Sequence, residues 1–342
     1  MIALPGATGF LGQRVARRLA EGGHAVRCLV RGSSDTGPLR RRVGDDLWPT
    51  VEVVTADLLS EASCREALAG CDVLLHVAAG LSGSTSTLFL SGASATKSVL
   101  AAAADAGVRR AVVISSMGVF NGRDARGGLV DEDTPIDADP PARDPYSYAK
   151  IVQEREARRV ADERGLPLVV LRPGVIIGPG RGAVSGRCGL KLGGLLVQMG
   201  GGQELPYTYV DNCADAVALA ATAEGVEGRS FNLVDDDRPT ASQAVRAARR
   251  HGDRFRRAWV PGPLVPSLCG AYHLYSRASG GQLPPVLTRY RATAMWGRVR
   301  YDNAAAKAGL GWTPRVPMGE ALRRAVTGDD PAEGAAAGGA SS

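Results

Sequence analysis

The chain has 342 residues, 44% apolar and 22% charged, with a formal net charge of +6. Those proportions are those of a globular protein, and the length suffices for one large α/β domain with an added lobe. No apolar run is long enough to span a bilayer and no basic stretch leads into an apolar core at the N-terminus, so the expectation is a cytoplasmic protein without a membrane partner. Arg40-Arg41-Arg42 and Arg249-Arg250 are the densest basic runs, but no aromatic residues interleave them, and no nucleic-acid partner is expected. Cys28, Cys64, Cys71, Cys188, Cys213 and Cys269 lack metal-ligand spacing and read as reduced, buried fillers.

Met1 to Leu4 is a short apolar run followed by Pro5-Gly6-Ala7-Thr8-Gly9-Phe10-Leu11-Gly12, then Val15, Ala16, Leu19 and Ala20 at helical spacing. This is strand, glycine-rich turn and helix. Glycines 6, 9 and 12 suit a sharp turn, close approach to a pyrophosphate, and tight packing of helix on sheet. A second strand over 25–30 ends at Arg31, followed by Gly32-Ser33-Ser34. An acid there would bind the ribose 2′-hydroxyl of NAD; an arginine accommodates the 2′-phosphate of NADP, so NADP(H) is favoured and NAD(H) is the alternative. Strand 51–54 leads to Asp57-Leu58, where the carboxylate could accept from adenine or cap the helix over 60–69. Strand 72–77 carries His76, which reads as a packed histidine. Its end, Ala78-Ala79-Gly80, leaves room for a cofactor.

A helix over 84–106 precedes the fifth strand, 111–115, which runs into Ser115-Ser116-Met117-Gly118-Val119-Phe120. A Pro/Asp-rich loop then opens a helix over 146–164, beginning Tyr146-Ser147-Tyr148-Ala149-Lys150. Residues four apart share a helix face, so Tyr146 and Lys150 can point into one space while Tyr148 cannot join them. An ammonium beside a phenol favours the phenolate, which makes the pair a candidate proton donor and acceptor. Lysine is scarce, at four residues against 37 arginines, so the coincidence carries weight. A sixth strand, 166–171, ends in Arg172-Pro173-Gly174-Val175, a bend suited to wall in a nicotinamide ring. Alternating strands and helices to residue 171 predict a doubly wound parallel sheet.

Beyond residue 180 the pattern is irregular: a strand over 206–210, a helix over 211–221, a strand over 231–233, a helix over 241–250, and a Pro-, Tyr-, Arg- and Trp-rich stretch over 254–300. The expected division is a dinucleotide-binding core over 1–180, a substrate-binding lobe over 181–328 with residues 205–235 returning to the core, and a disordered Ala/Gly/Ser-rich tail over 329–342. The last helix is expected to begin at Asp302-Asn303.

Taken in order, Gly6-x-x-Gly9-x-x-Gly12, Asp57-Leu58, His76-Val77-Ala78-Ala79, Ser115-Ser116-x-x-Val119-Phe120, Tyr146-x-x-x-Lys150, Arg172-Pro173 with Gly178-Pro179, and Tyr209-Val210-Asp211 resemble the extended short-chain dehydrogenase/reductase family, also described as NAD-dependent epimerase/dehydratase-like. The resemblance runs from Met1 to about Met318. It implies a Rossmann-type fold with a smaller C-terminal lobe, Ser116, Tyr146 and Lys150 as catalytic residues, and a homodimer through helices 84–106 and 146–164. It further implies cofactor contacts from Gly6, Thr8, Gly9, Phe10, Leu11, Gly12, Arg31, Asp57, Leu58, Ala78, Ala79, Gly80, Ser115, Tyr146, Lys150, Pro173, Gly174 and Val175, and no metal. Pro5 stands where the family has Thr, Phe120 where it has Tyr, and Gly92 where members often carry Asn. Pro173-Gly174 occupies the place of an Asn usual in nucleotide-sugar members. These departures move the reading towards the ketoreductase and 3β-hydroxysteroid dehydrogenase-like branch, an NAD(P)H-dependent reductase of a bulky or partly apolar carbonyl substrate. A nucleotide-sugar epimerase or dehydratase is the alternative. A non-catalytic dinucleotide-sensing or nucleic-acid-binding protein is a third.

Overall fold

The computed structural model of the chain describes residues 1–78, 85–280 and 282–331. Seven parallel strands make the central sheet: β1 (Ile2–Pro5), β2 (Val26–Val30), β3 (Val51–Thr55), β4 (Val73–His76), β5 (Arg110–Ile114), β6 (Leu168–Pro173) and β7 (Ser230–Leu233). Their spatial order is β7-β6-β5-β4-β1-β2-β3, with the chain reversing direction across the sheet between β1 and β4. That reversal opens a crevice at the carboxyl ends of β1 and β4. Alternation along each strand feeds two cores. Ile2, Leu4, Val112, Ile114, Val169 and Leu171 enter one layer; Ala3, Ala111, Val113, Leu168 and Val170 enter the other. The apolar runs 111–114 in β5 and 168–171 in β6 therefore follow from a sheet covered on both faces.

The predicted strands fall within two residues of the observed ones, and β7 returns to the core by pairing with β6. Two further pieces belong to the region after β6. Tyr207–Tyr209 pairs in parallel with Val175–Ile177, and Gly189–Leu192, Leu195–Met199 and Arg256–Val260 form a separate three-stranded sheet. The six cysteines are buried and unpaired.

Three expectations require correction. The helix predicted over 84–106 is interrupted: Thr85–Phe89 and Ala95–Asp105 are α-helical, but Leu90–Ser94 is a π-helical turn around Gly92. Asn303 precedes the short helix Ala304–Leu310, and a further helix, Met318–Thr327, follows it. The tail does not loosen at residue 329. Asp330 is buried and accepts from Arg14 Nη2 at 2.7 Å and from Arg42 Nη1 and Nη2 at 2.7 Å each. Arg14 also lies 3.2 Å from Asp211. Two guanidiniums buried by the Gly12–Glu21 and Gly37–Val43 helices need a carboxylate, and composition around the tail gives no hint that one side chain supplies it. Residues 332–342 lie outside the described residues.

Removing one partner from a buried ionic cluster strands the others. Asp330→Ala is therefore expected to cost about 3 kcal/mol of stability, read as a lowered urea midpoint at unchanged slope. A midpoint shift equivalent to less than about 0.5 kcal/mol would show that Asp330 does not hold the two arginines.

Candidate active site

The glycine-rich loop leaves β1 and turns into the Gly12–Glu21 helix. Gly6 has φ of +91°, and a Cβ on it would stand 2.5 Å from the Ala78 nitrogen; a Cβ on Gly12 would stand 2.0 Å from the Gly6 carbonyl oxygen. Side chains are thus excluded where the loop crosses the end of β4 and where the helix seats on the loop. Gly9 is exposed on the outer side of this cradle. Phe10 lies between two cations, with the Arg14 guanidinium 4.6 Å and the Arg181 guanidinium 4.7 Å from its ring centre. Leu11 is buried and precedes the helix. Arg31 is exposed at the end of β2, and among the described residues its guanidinium has no hydrogen-bond or ion-pair partner. The chemistry of this rim suits a phosphate-bearing dinucleotide: bare backbone at a helix start, and an uncommitted guanidinium one strand away.

Other residues expected around the cofactor divide. Asp57 is exposed, and its Oδ1 accepts from the Leu59 N–H at 3.0 Å, while Ser60 caps the Glu61–Leu68 helix. Leu58 packs on the core layer below. Ala78 touches the glycine loop; Ala79 and Gly80 lie outside the described residues. Gly174 meets a packing need of its own: a Cβ there would fall 1.9 Å from the Pro206 carbonyl oxygen, which accepts from the Val175 N–H at 2.7 Å. Pro173 ends β6.

The Pro145–Arg164 helix starts at Asp144, whose carboxylate accepts from the Ser147 N–H at 3.0 Å. It brings Tyr146 beside Ser116, just past β5, close enough for the serine side chain to restrain the phenol's pKa. Ser116 Oγ also accepts from the Gly118 N–H at 3.0 Å, which fixes its direction. Ser115 is turned away, donating to Glu154 Oε2 at 2.5 Å, so its hydroxyl is already used beneath the site. Tyr148 packs edge-on against Phe89 at 4.8 Å, away from this space.

Lys150 is buried and donates to the Ile114 carbonyl at 3.0 Å and to Gln153 Oε1 at 2.8 Å. Gln153 Nε2 donates to Thr96 Oγ1 at 2.9 Å, and Thr96 Oγ1 lies 2.9 Å from His76 Nε2. Thr96 Oγ1 thus bridges the Gln153 amide and the imidazole, while His76 Nδ1 is buried without a hydrogen-bond partner. Burial, assisted by Lys150, pushes His76 down to about 3, so it stays neutral, consistent with a packed histidine. Sequence spacing did not single out Gln153, Thr96 or Arg181. Gln153 lies three residues past Lys150, on the neighbouring turn of the same face, and that spacing is the signal available in the sequence.

The electrostatics correct one expectation. Burial pushes Lys150 down to about 8, with Glu154 pulling the other way. Burial also raises Tyr146, while the Ser116 side chain and the Arg181 charge restrain the rise. Lys150 therefore sheds its proton before the phenol does, and an ammonium at Lys150 is not what lowers Tyr146 in this structure. Ser116 and Arg181 only limit a net rise set by burial.

A profile of the NAD dependent epimerase/dehydratase family matches residues 2–233. Among curated proteins, cinnamoyl-CoA reductase 1 of Petunia hybrida is 35% identical over 186 residues, 52% of this chain and 55% of that protein. The chain thus spans about half the length of this and similar curated relatives. The decarboxylating sterol-4-alpha-carboxylate 3-dehydrogenase ERG26 of Candida albicans is 28% identical over 284 residues, 78% of this chain and 80% of that one. The crystal structure of gox2253 superposes with a TM-score of 0.78 at 25% identity, covering 95% of this chain and 96% of that one. With a matched glycine loop, a seven-stranded sheet and a Tyr-x-x-x-Lys helix in place, the chain belongs to the NAD dependent epimerase/dehydratase family, among the extended short-chain dehydrogenases/reductases.

Proposed function

We propose that the chain is an NADP(H)-dependent carbonyl reductase acting on a bulky, partly apolar substrate, and that Ser116, Tyr146 and Lys150 carry the chemistry. The observation that carries this reading is the placing of a buried Tyr146 phenol beside Ser116 at the carboxyl end of β5, one helix turn from a buried lysine. The nicotinamide, when bound, supplies the hydride that reduces a carbonyl carbon. The Tyr146 hydroxyl donates its proton to the carbonyl oxygen, which becomes the alcohol. Ser116 holds that oxygen within reach of the phenol. Raised by burial, Tyr146 stays protonated at neutral pH and is set as a donor, the form that reduction needs. Two of the three N–H donors of Lys150 are committed to Ile114 and Gln153, and the third is free for a ribose hydroxyl. The cinnamoyl-CoA and sterol names of two relatives support a substrate with an extended apolar part.

Tyr146→Phe should lower kcat by about 100-fold or more while the dissociation constant for NADPH changes by less than about threefold, followed by NADPH absorbance and fluorescence titration. Turnover near the parent level would remove Tyr146 from the mechanism. Isolation of the protein with tightly held NAD and no net cofactor consumption would replace reduction with epimerase-type chemistry.

Arg31 decides between cofactors. Arg31→Glu should raise the KM for NADPH by about tenfold or more and leave that for NADH unchanged or improved, because a carboxylate repels the 2′-phosphate and accepts from a 2′-hydroxyl. An unchanged NADPH to NADH ratio would assign the 2′-phosphate elsewhere.

The buried amine sets a pH limit. Lys150 is charged below about 8 and neutral above it, so kcat/KM for reduction should fall as pH rises through about 8. Gln153→Glu places a negative charge against the ammonium and should move this limb up by about one pH unit. A limb unmoved by the substitution would show that another group titrates there.

A further inference from the structure

We propose that the outer face of the Val265–Ala278 helix, together with Trp259, is a docking surface for an anionic lipid bilayer. A helix at the edge of a folded domain normally buries its apolar stripe. This one is apolar on the side it shows to water. Val265, Cys269 and Ser276 face inward and are buried, whereas Leu264, Leu268, Ala271, Leu274, Tyr275 and Ala278 recur at spacings of three and four on the exposed side. Leu264, Leu268, Leu274, Tyr275 and Trp259 are each more than half exposed. Of the twelve large apolar side chains exposed among the described residues, six lie between residues 259 and 286. Such a concentration marks an interaction site.

Charge selects the occupant. Residues 254–301 contain eight arginines and no aspartate or glutamate, so the rest of the chain, with 33 basic against 35 acidic residues, is slightly acidic. Arg254, Arg256, Arg257, Arg277, Arg289, Arg298 and Arg300 are exposed. A second copy of the chain docked here about a two-fold axis would bring this positive segment against itself. A nucleic acid would satisfy the arginines but leave the leucines in water. An anionic bilayer satisfies both: leucines enter the acyl boundary, Trp259 and Tyr275 sit at headgroup depth, and the arginines meet lipid phosphates. The helix has 14 residues, too few to span, so it would lie in the interface plane. Attachment of this kind is to the surface only: no described helix is long and apolar enough to cross a membrane.

The face also adjoins a cavity. A space of about 720 Å³ is lined by Gly201, Trp259, Pro263, Val265, Pro266 and Trp296, so the start of the same helix forms one wall. Trp259 is fixed there, its Nε1 donating to the Gly200 carbonyl at 2.7 Å. The volume lies within the range of small-molecule sites. Seating the helix on a bilayer would present this apolar space to a ligand dissolved in lipid.

Co-sedimentation of the full chain with vesicles tests the proposal. The protein should pellet with phosphatidylcholine vesicles containing phosphatidylglycerol, about tenfold less with phosphatidylcholine alone, and less again in high salt. The double variant L268Q/L274Q should lose about tenfold or more in binding while keeping turnover and fold. Separately, R254Q/R256Q/R277Q should abolish the preference for phosphatidylglycerol. Failure to pellet with anionic vesicles at low salt would overturn the proposal, as would binding indifferent to L268Q/L274Q. A dimer in sedimentation velocity that dissolves in L268Q/L274Q, without vesicle binding, would assign the face to a second copy instead. Salt-sensitive RNA binding without vesicle binding would assign it to nucleic acid.

Discussion

The site depends on how the Pro145–Arg164 helix is held to the sheet, and one carboxylate does most of the holding. Glu154 is fully buried one turn past Lys150. Its Oε1 accepts from Arg172 Nη2 at 2.7 Å, on β6, and its Oε2 accepts from Ser115 Oγ, just past β5. Arg158, on the next turn, closes over the same carboxylate at 2.9 Å. Burial alone would raise the Glu154 pKa, but the Arg172 and Ser115 bonds outweigh it, so the group stays ionised. Two strands and one helix are thereby locked at the point where Tyr146 and Lys150 must be placed. A helix free to rotate on its axis by one residue, about 100°, would separate the phenol from Ser116. The Arg172 guanidinium also lies 4.8 Å over Phe120, tying the loop that carries Ser116 into the same clamp.

A second clamp approaches from the C-terminal side. Asp137 accepts from Arg143 Nη1 at 2.7 Å and from the Tyr290 hydroxyl at 2.5 Å, and Arg143 donates to the carbonyls of Phe120 and Gly118. Burial pushes Asp137 up, yet the hydrogen bonds from Tyr290 and Arg143 hold it below the usual carboxylate range. Arg291, from the same helix as Tyr290, donates to the carbonyls of Ala142 and Arg143. The lobe that lines the large cavity is therefore bonded directly to the loop that launches the Tyr146 helix. Arg291 and Tyr290 thus tie the 289–296 helix to the loop that precedes Tyr146.

Local rules made much of this readable. Glycines 6 and 12 were assigned a steric role that the close approaches at Ala78 and the Gly6 carbonyl require. The alternation of strands and helices predicted the doubly wound parallel sheet, and Ser60 capping left Asp57 without that duty. Spacing alone separated Tyr146 from Tyr148. What was not readable is nonlocal. No pattern near residue 330 announces that its carboxylate serves Arg14 and Arg42, more than 280 positions earlier. Nor does any local pattern show that the missing side chain of Gly174, expected beside the cofactor, also makes room for Pro206. The π-helical turn at Leu90–Ser94 has the same composition as the α-helix around it, and periodicity over 84–106 could not mark it.

The relation between Tyr146 and Lys150 also changes meaning. A shared helix face places two groups near each other, but it does not make them interact, because each takes whatever partners the fold offers. Here the phenol lies beside Ser116 while the amine donates to Ile114 and Gln153, so neither is a hydrogen-bond partner of the other. Gln153 extends the amine's network through Thr96 to a neutral His76, so Lys150 is supported by dipoles, with its carboxylate neighbour Glu154 already engaged by Arg172. That is why burial wins and the amine falls to about 8. A lysine poised near neutrality responds strongly to any negative charge brought beside it, whereas one paired with a carboxylate would not. The scaffold thus keeps the lysine's charge adjustable and the tyrosine's proton in place, and both follow from where Glu154 spends its own charge.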